Sequence, residues 1–213
     1  MVKKIVKFFI PGVAALLLPA CNGIFSDIYD SPESQQMSTY GFIVNSTSTE
    51  PGTIYIDATD YRRWTYIDFH TLSIDTLDID YPEPAAWDIA IHRYDAKTNG
   101  GVVAETGATS FTSPVITPGE FVADTWTTET IITDMSTMMD GYLSYKESDY
   151  NPELSKWLNV DKSSMPPVYT PSSKVYIARL ADGSHVALRL DNYMDASGVK
   201  GYMTISYIYP YNL

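Results

Sequence analysis

Val175-Tyr-Ile-Ala-Arg-Leu180, then Ala181-Asp-Gly-Ser184, then His185-Val-Ala-Leu-Arg-Leu190 is the stretch that decides the fold class. Both flanks are rich in β-branched, aromatic and aliphatic residues, and the connection holds Asp182-Gly183, a pair that favours the positive φ angles of a type I′ turn. The segment therefore reads as an antiparallel hairpin. Because side chains alternate along a strand, Val186, Leu188 and Leu190 face one way and His185, Ala187 and Arg189 the other. A closing strand from Tyr202 to Tyr209 places Met203, Ile205, Tyr207 and Tyr209 on one side and stops at Pro210.

Upstream the same pattern repeats without a fixed period. Thr53–Asp57, Trp64–Phe69 and Leu72–Ile79 are strand-like. In the third, Leu72 and Ile74 share one parity while Leu77 and Ile79 take the other, which predicts a bulge or turn near Thr76. Trp87, Ile89 and Ile91 alternate with Asp88, Ala90 and His92, so the first set is expected to face the core and His92 the opposite side, in a structural or surface role. His70 and His185 read the same way. Helical pattern is scarce; one short helix is expected from about Ile131 to Met139, with Gly141 to end it. The prediction is an all-β, mainly antiparallel single domain with a short helix near the binding loops.

Composition agrees with that class. The chain has 213 residues, 45% apolar, enough to fill a core, and 13% aromatic, mostly 17 tyrosines, which suits strands and wet clefts better than helical bundles. Charged residues are 19%, and 14 Lys and Arg against 26 Asp and Glu leave a net charge of −12, which excludes nucleic acid as a partner.

The first 20 residues read as a secretion signal. Lys3, Lys4 and Lys7 form a positive end, and Phe8 to Leu18 is apolar but too short to cross a bilayer stably. The run ends Leu17-Leu18-Pro19-Ala20-Cys21, similar to a bacterial lipobox, in which the thiol is acylated before the leader is cut. Cys21 is the only cysteine, so no disulfide competes for it. Multiple acyl chains would hold the mature protein at the membrane. Removing the leader takes three lysines and no acid, leaving −15 on the mature chain. Residues 21–39 read as a polar tether and residues 40–213 as the folded domain.

No zinc-protease spacing, phosphate loop or nucleophile elbow is present, so no enzyme is expected. The methionines carry more information. Asp134-Met-Ser-Thr-Met-Met-Asp-Gly141 holds three, and Met165 stands between Ser163-Ser164 and Pro166-Pro167 in a loop. Methionine commonly fills gaps in cores, and that reading stays open. Two thioethers delivered from opposite loops also suit a soft metal such as haem iron or copper(I), and Tyr142, Tyr145, Tyr150, Trp157 and Tyr169 supply the aromatic walls that a porphyrin needs.

These segments carry a resemblance. Trp87-Asp-Ile-Ala-Ile-His-Arg-Tyr-Asp-Ala-Lys-Thr-Asn-Gly-Gly101, Asp134–Gly141, Leu154-Ser-Lys-Trp-Leu158, Met165-Pro-Pro-Val-Tyr-Thr170 and Tyr207-Ile-Tyr-Pro210, in that order, resemble the HmuY family of haem-binding lipoproteins over about residues 40–213. The resemblance implies an all-β fold likened to a hand, whose finger and thumb loops grip haem edge-on. It implies a haemophore, anchored in the outer membrane, surface-exposed and also shed, that takes haem from host haemoproteins and passes it to a TonB-dependent outer-membrane receptor. The founding member uses two histidines, which neither gripping segment here contains. The methionine-ligating pattern of other relatives falls on Met138 and Met165, with Met135 and Met139 as fallback donors and Tyr142, Tyr145 and Tyr169 as pocket walls. The alternative expectation is a surface lipoprotein that binds glycan or protein through aromatic platforms, without haem.

Overall fold

A computed structural model describes residues 40–47, 50–112, 116, 120–164 and 166–213; the expected leader and tether, Cys21 and Met165 lie outside the described residues. The first strands are β1 (Phe42–Val44), β2 (Gly52–Asp57), β3 (Arg63–Asp68), β4 (Ser73–Asp78), β5 (Ile89–His92), β6 (Asp95–Thr98) and β7 (Val102–Glu105). They are followed by β8 (Val122–Ala123), β9 (Thr125–Asp134), β10 (Ser144–Tyr150), β11 (Leu158–Asp161) and β12 (Val168–Pro171). The chain closes with β13 (Tyr176–Arg179), β14 (His185–Met194) and β15 (Lys200–Ile208). Every pairing is antiparallel. One sheet runs β1-β2-β15-β14-β13-β7-β8 and a second β4-β3-β5-β6, while β9–β10 and β11–β12 are separate two-stranded ribbons.

The two sheets bury a shared core. Ile54 and Ile56 of β2, Val186, Leu188 and Leu190 of β14, and Met203, Ile205 and Tyr207 of β15 meet Ile67 of β3 and Ile89 and Ile91 of β5. The inward alternation expected for β14 and β15 is the observed one. The outer face of the larger sheet carries a smaller cluster of Val175, Ile177, Ala187, Ile208 and Phe111. The outer face of the smaller sheet is covered too: Trp64, Tyr66, Trp87 and Ala90 pack with Ile131 of the β9–β10 ribbon.

That double coverage corrects the expected bulge. β4 pairs with β3 without interruption from Asp78 to Ser73. Its phase change reflects two apolar faces: Ile74 packs on the central core, Leu77 and Ile79 on the outer cluster. The same reason places all four residues of β5 in buried positions, His92 included. The β13–β14 turn is also different in kind. Asp182 is not among the described residues with positive φ, whereas Gly183 has φ 89°. Gly183 N–H donates to Leu180 O at 3.0 Å and Leu180 N–H to Ser184 O at 2.8 Å, a three-residue loop with glycine in the left-handed position.

The expected helix over 131–139 is corrected as well. Residues 131–134 continue β9, because Thr125-Trp-Thr-Thr-Glu-Thr-Ile-Ile-Thr133 is dominated by β-branched side chains that favour the extended chain. Among the described residues, helical geometry is confined to the 3₁₀ turns Met138–Asp140 and Leu154–Trp157. The second is built into the interior. Asn151 Oδ1 accepts from Leu154 N–H at 2.8 Å, and its Nδ2 donates to Val122 O at 3.1 Å and to Asp124 Oδ1 at 2.9 Å. This network fixes Trp157, 1% exposed, beneath the β5–β6 turn.

One backbone position underlies that region. Gly201 has φ 99°, and a Cβ there would lie 2.8 Å from Arg93 Nη1 and 3.0 Å from Ala58 O. Gly201→Ala is expected to cost about 1–3 kcal/mol, because it adds left-handed strain to a steric clash with a buried cation. Urea denaturation measures it; an unchanged midpoint would show that the contact relaxes freely.

Candidate functional site

The site is built on the β5–β6 hairpin. His92 pairs with Asp95, leaving Arg93-Tyr94 as a two-residue turn. Arg93 takes φ 55°, rare for a side chain of its size, and is held there by its own chemistry. Its Nη1 donates to Ala58 O at 2.7 Å and to Thr59 O at 2.5 Å, and its guanidinium lies 4.3 Å from the Tyr61 ring. From below, Trp157 Nε1–H donates to Tyr94 O at 2.8 Å. His92 Nε2–H donates to Tyr61 O at 2.8 Å, while its buried Nδ1 has no hydrogen-bond partner among the described residues.

Above this floor lies a cavity of about 270 Å³. One rim comes from the end of β9 and the loop after it: Ile132, Met135, Met138 and Leu143. The loop is shaped locally, with Asp134 Oδ1 accepting from Ser136 N–H at 2.7 Å and Met138 N–H donating to Met135 O at 3.0 Å. Lys162, Pro167 and Tyr169, from the β11–β12 segment, line the cavity as well. Tyr169 is stacked on Tyr193 at 5.4 Å, and Tyr94 meets both rings edge-on at 6.3 and 5.9 Å, so one wall is a rigid aromatic block.

Met135, Met138 and Tyr169 thus line one space, brought together from two segments that are remote in sequence. Met139 points elsewhere at 63% exposure, and Tyr142 and Tyr145, 72% and 41% exposed, are not among the residues lining this cavity. Met165 lies outside the described residues; its sequence neighbours Lys162 and Pro167 line the cavity.

Residues 60–207 match the HmuY protein family. The chain belongs to the HmuY family. Among solved structures, it is similar to a Bacteroides vulgatus protein designated an HmuY-like haem-binding protein, with 58% identity, a TM-score of 0.75, and coverage of 82% of this chain and 100% of that one. A Bacteroides fragilis protein designated a lipoprotein shows 49% identity and the same TM-score, with 84% and 100% covered. Apo PinO from Porphyromonas gingivitis shows 25% identity and a TM-score of 0.65, with 75% and 97% covered. No protein in the curated set matches.

In this HmuY-family chain the floor of the cavity escaped the reading of the residues one by one. Arg-Tyr is not a turn pair, so nothing in the local chemistry marks residues 93 and 94 as the place where the chain reverses. The signal that was available is the length of the Ile89–His92 and Asp95–Thr98 runs, which leaves only two residues to connect them.

Two floor residues titrate in opposite senses. Burial, with a smaller push from Arg93, lowers the pKa of His92 to about 4. Burial raises Asp95 to about 7, against the pull of Lys162 and Arg93. As pH falls from the unfolded imidazole value of 6.5 toward 4, the unfolded chain binds the His92 proton first, and stability is lost. Asp95 works the other way, because the folded state keeps its proton: stability is fully present below the unfolded value of 3.8 and lost as pH rises to about 7. Asp95→Asn removes only the second slope. Its stability relative to the parent is expected to rise with pH between 4 and 7, by up to about 1.4 kcal/mol per unit. Urea midpoints across that range measure this; a pH-independent difference would refute a protonated Asp95.

Proposed function

We propose that this protein is a non-catalytic haem-binding lipoprotein that holds haem in the cavity above Arg93-Tyr94, with Met138 and Met165 as the donors to iron. One observation carries the reading: Met135 and Met138 line the same largely apolar cavity as Lys162 and Pro167, which flank Met165 in the sequence. The donor set fits the group, since thioethers favour polarizable metals and Tyr169 and Tyr94 offer flat apolar surface to a porphyrin. Similarity to the haem-binding Bacteroides vulgatus protein supports the same ligand. Haem supplies an iron centre; the protein holds it and excludes water, and no side chain need react.

The remaining steps belong to the same proposal. Cys21 is acylated and tethers the chain to the outer membrane, in keeping with the lipobox and with the Bacteroides fragilis relative designated a lipoprotein. Facing outward, and in part shed, the protein takes haem from host haemoproteins and delivers it to a TonB-dependent receptor. The direct test is an absorbance titration of the leader-free chain with haem, under oxidising and reducing conditions. A saturable Soret shift is expected, with tighter binding after reduction. A spectrum identical to free haem in both states would overturn the reading.

A further inference from the structure

A second cleft, of about 180 Å³, opens on the outer face of the smaller sheet, beside the first cavity. Its floor is formed by Trp64, Tyr66 and Lys97. Lys97 is 5% exposed, its ammonium 4.4 Å from the Trp64 ring and 5.4 Å from Trp87, and Glu83 Oε1 accepts from it at 2.5 Å. The walls are unlike a core: Tyr81 and Trp126 line the cleft yet are 66% and 62% exposed. Two large aromatic surfaces are thus left to solvent beside a buried, ion-paired lysine, and such rings, apolar in body and polar at one edge, suit a wet binding cleft.

The β9–β10 ribbon is shaped to present that wall. Between the pairs Thr127–Ser148 and Ile131–Lys146, β9 advances four residues and β10 two, an irregularity that re-aims the side chains around Glu147. Lys146 Nζ donates to Asp80 Oδ1 at 3.0 Å, pinning the ribbon to the chain that leaves β4. The cleft is separate from the haem cavity but adjoins it, since Trp64 of its floor packs on His92 at 5.3 Å.

The lining selects a ligand class. Lys97 is paired with Glu83 and Lys146 with Asp80, so Glu147 and Asp149 leave the lining with an excess of negative charge. Such a surface repels anions and offers carboxylate acceptors to hydroxyl donors. A ligand that suits it is neutral, rich in hydroxyls, and has an apolar face to lie on Trp126 or Tyr81. The volume suits one six-membered ring, as a cavity of about 150 Å³ accommodates benzene. We propose that this cleft is a second binding site, for a pyranose residue of a glycan.

The test uses saturation-transfer NMR on the leader-free protein with the methyl glycosides of glucose, galactose, mannose and N-acetylglucosamine. Transfer to ring C–H protons of at least one glycoside is expected, and Trp126→Ala and Tyr81→Ala should each weaken binding about tenfold. Both side chains are exposed, so thermal melting should confirm that the variants remain folded. Their haem titrations should match the parent, which separates this proposal from the haem reading. No transfer from any of the four, or equal transfer in parent and both variants, would overturn it.

Discussion

Replacing Met138 and Met165 together by alanine is expected to abolish the Soret shift produced by haem, with an affinity loss of at least about 100-fold, since ligand removal should exceed the 10–100-fold typical of second-sphere changes. Alanine leaves the aromatic wall of Tyr94, Tyr169 and Tyr193 in place, so any residual binding reports the porphyrin face alone. Met138→Ala by itself should be milder, because Met135 lines the same cavity and its thioether can stand in. The chemistry of the donor adds two further expectations. Thioether sulfur is a soft ligand that favours ferrous iron, so reduction should tighten binding. It also has no proton to gain, so binding should persist at mildly acidic pH, where a histidine ligand would charge near 6.5 and leave. A double variant with parent-like ferric and ferrous spectra would remove the methionines from the iron.

Trp157→Ala should produce the largest loss of stability, about 3–5 kcal/mol, as expected for truncating a fully buried aromatic. Trp157 is 1% exposed, packs in the cluster that joins the two sheets, and donates its indole N–H to Tyr94 O at 2.8 Å. Its removal therefore opens a void and releases the floor of the cavity above Arg93-Tyr94 at once. Trp157→Phe separates the two effects: it keeps most of the volume and loses the hydrogen bond, which alone is worth about 1 kcal/mol. Chemical denaturation gives the stabilities, and the haem titration of the phenylalanine variant reports the floor. An alanine variant within about 1 kcal/mol of the parent would mean that the interior collapses around the void.

Part of the lining of the cavity was legible because its segments carry unusual residues at short range. Three methionines in eight residues before Gly141, and one beside Pro166-Pro167, stand out in a chain with no standard metal spacing. The aromatic walls were harder. Tyr142 and Tyr145 lie near the methionines in sequence yet are exposed, whereas Tyr94 and Tyr61, far away in the chain, line the cavity. Tyr142 stands in the loop before β10 and Tyr145 in an exposed part of that strand, so nearness in sequence does not decide which side chains reach the cavity. The helix expected over 131–139 failed for a related reason: its apolar spacing fits a helix, but the β-branched run and pairing with β10 favour a strand.

The order of turns and alternating strands along the chain was enough to specify an antiparallel β domain, with β14 and β15 facing the core as their side chains dictate. Whether β4 and β5 bury one face or two, and whether Arg93-Tyr94 turns under a cavity, depended on Trp157, Ile131 and the carbonyls of Ala58 and Thr59, all of which come from elsewhere. Periodicity is a local property of consecutive residues. What covers a face and what holds a left-handed arginine are contacts between distant ones, and only the folded chain brings those together.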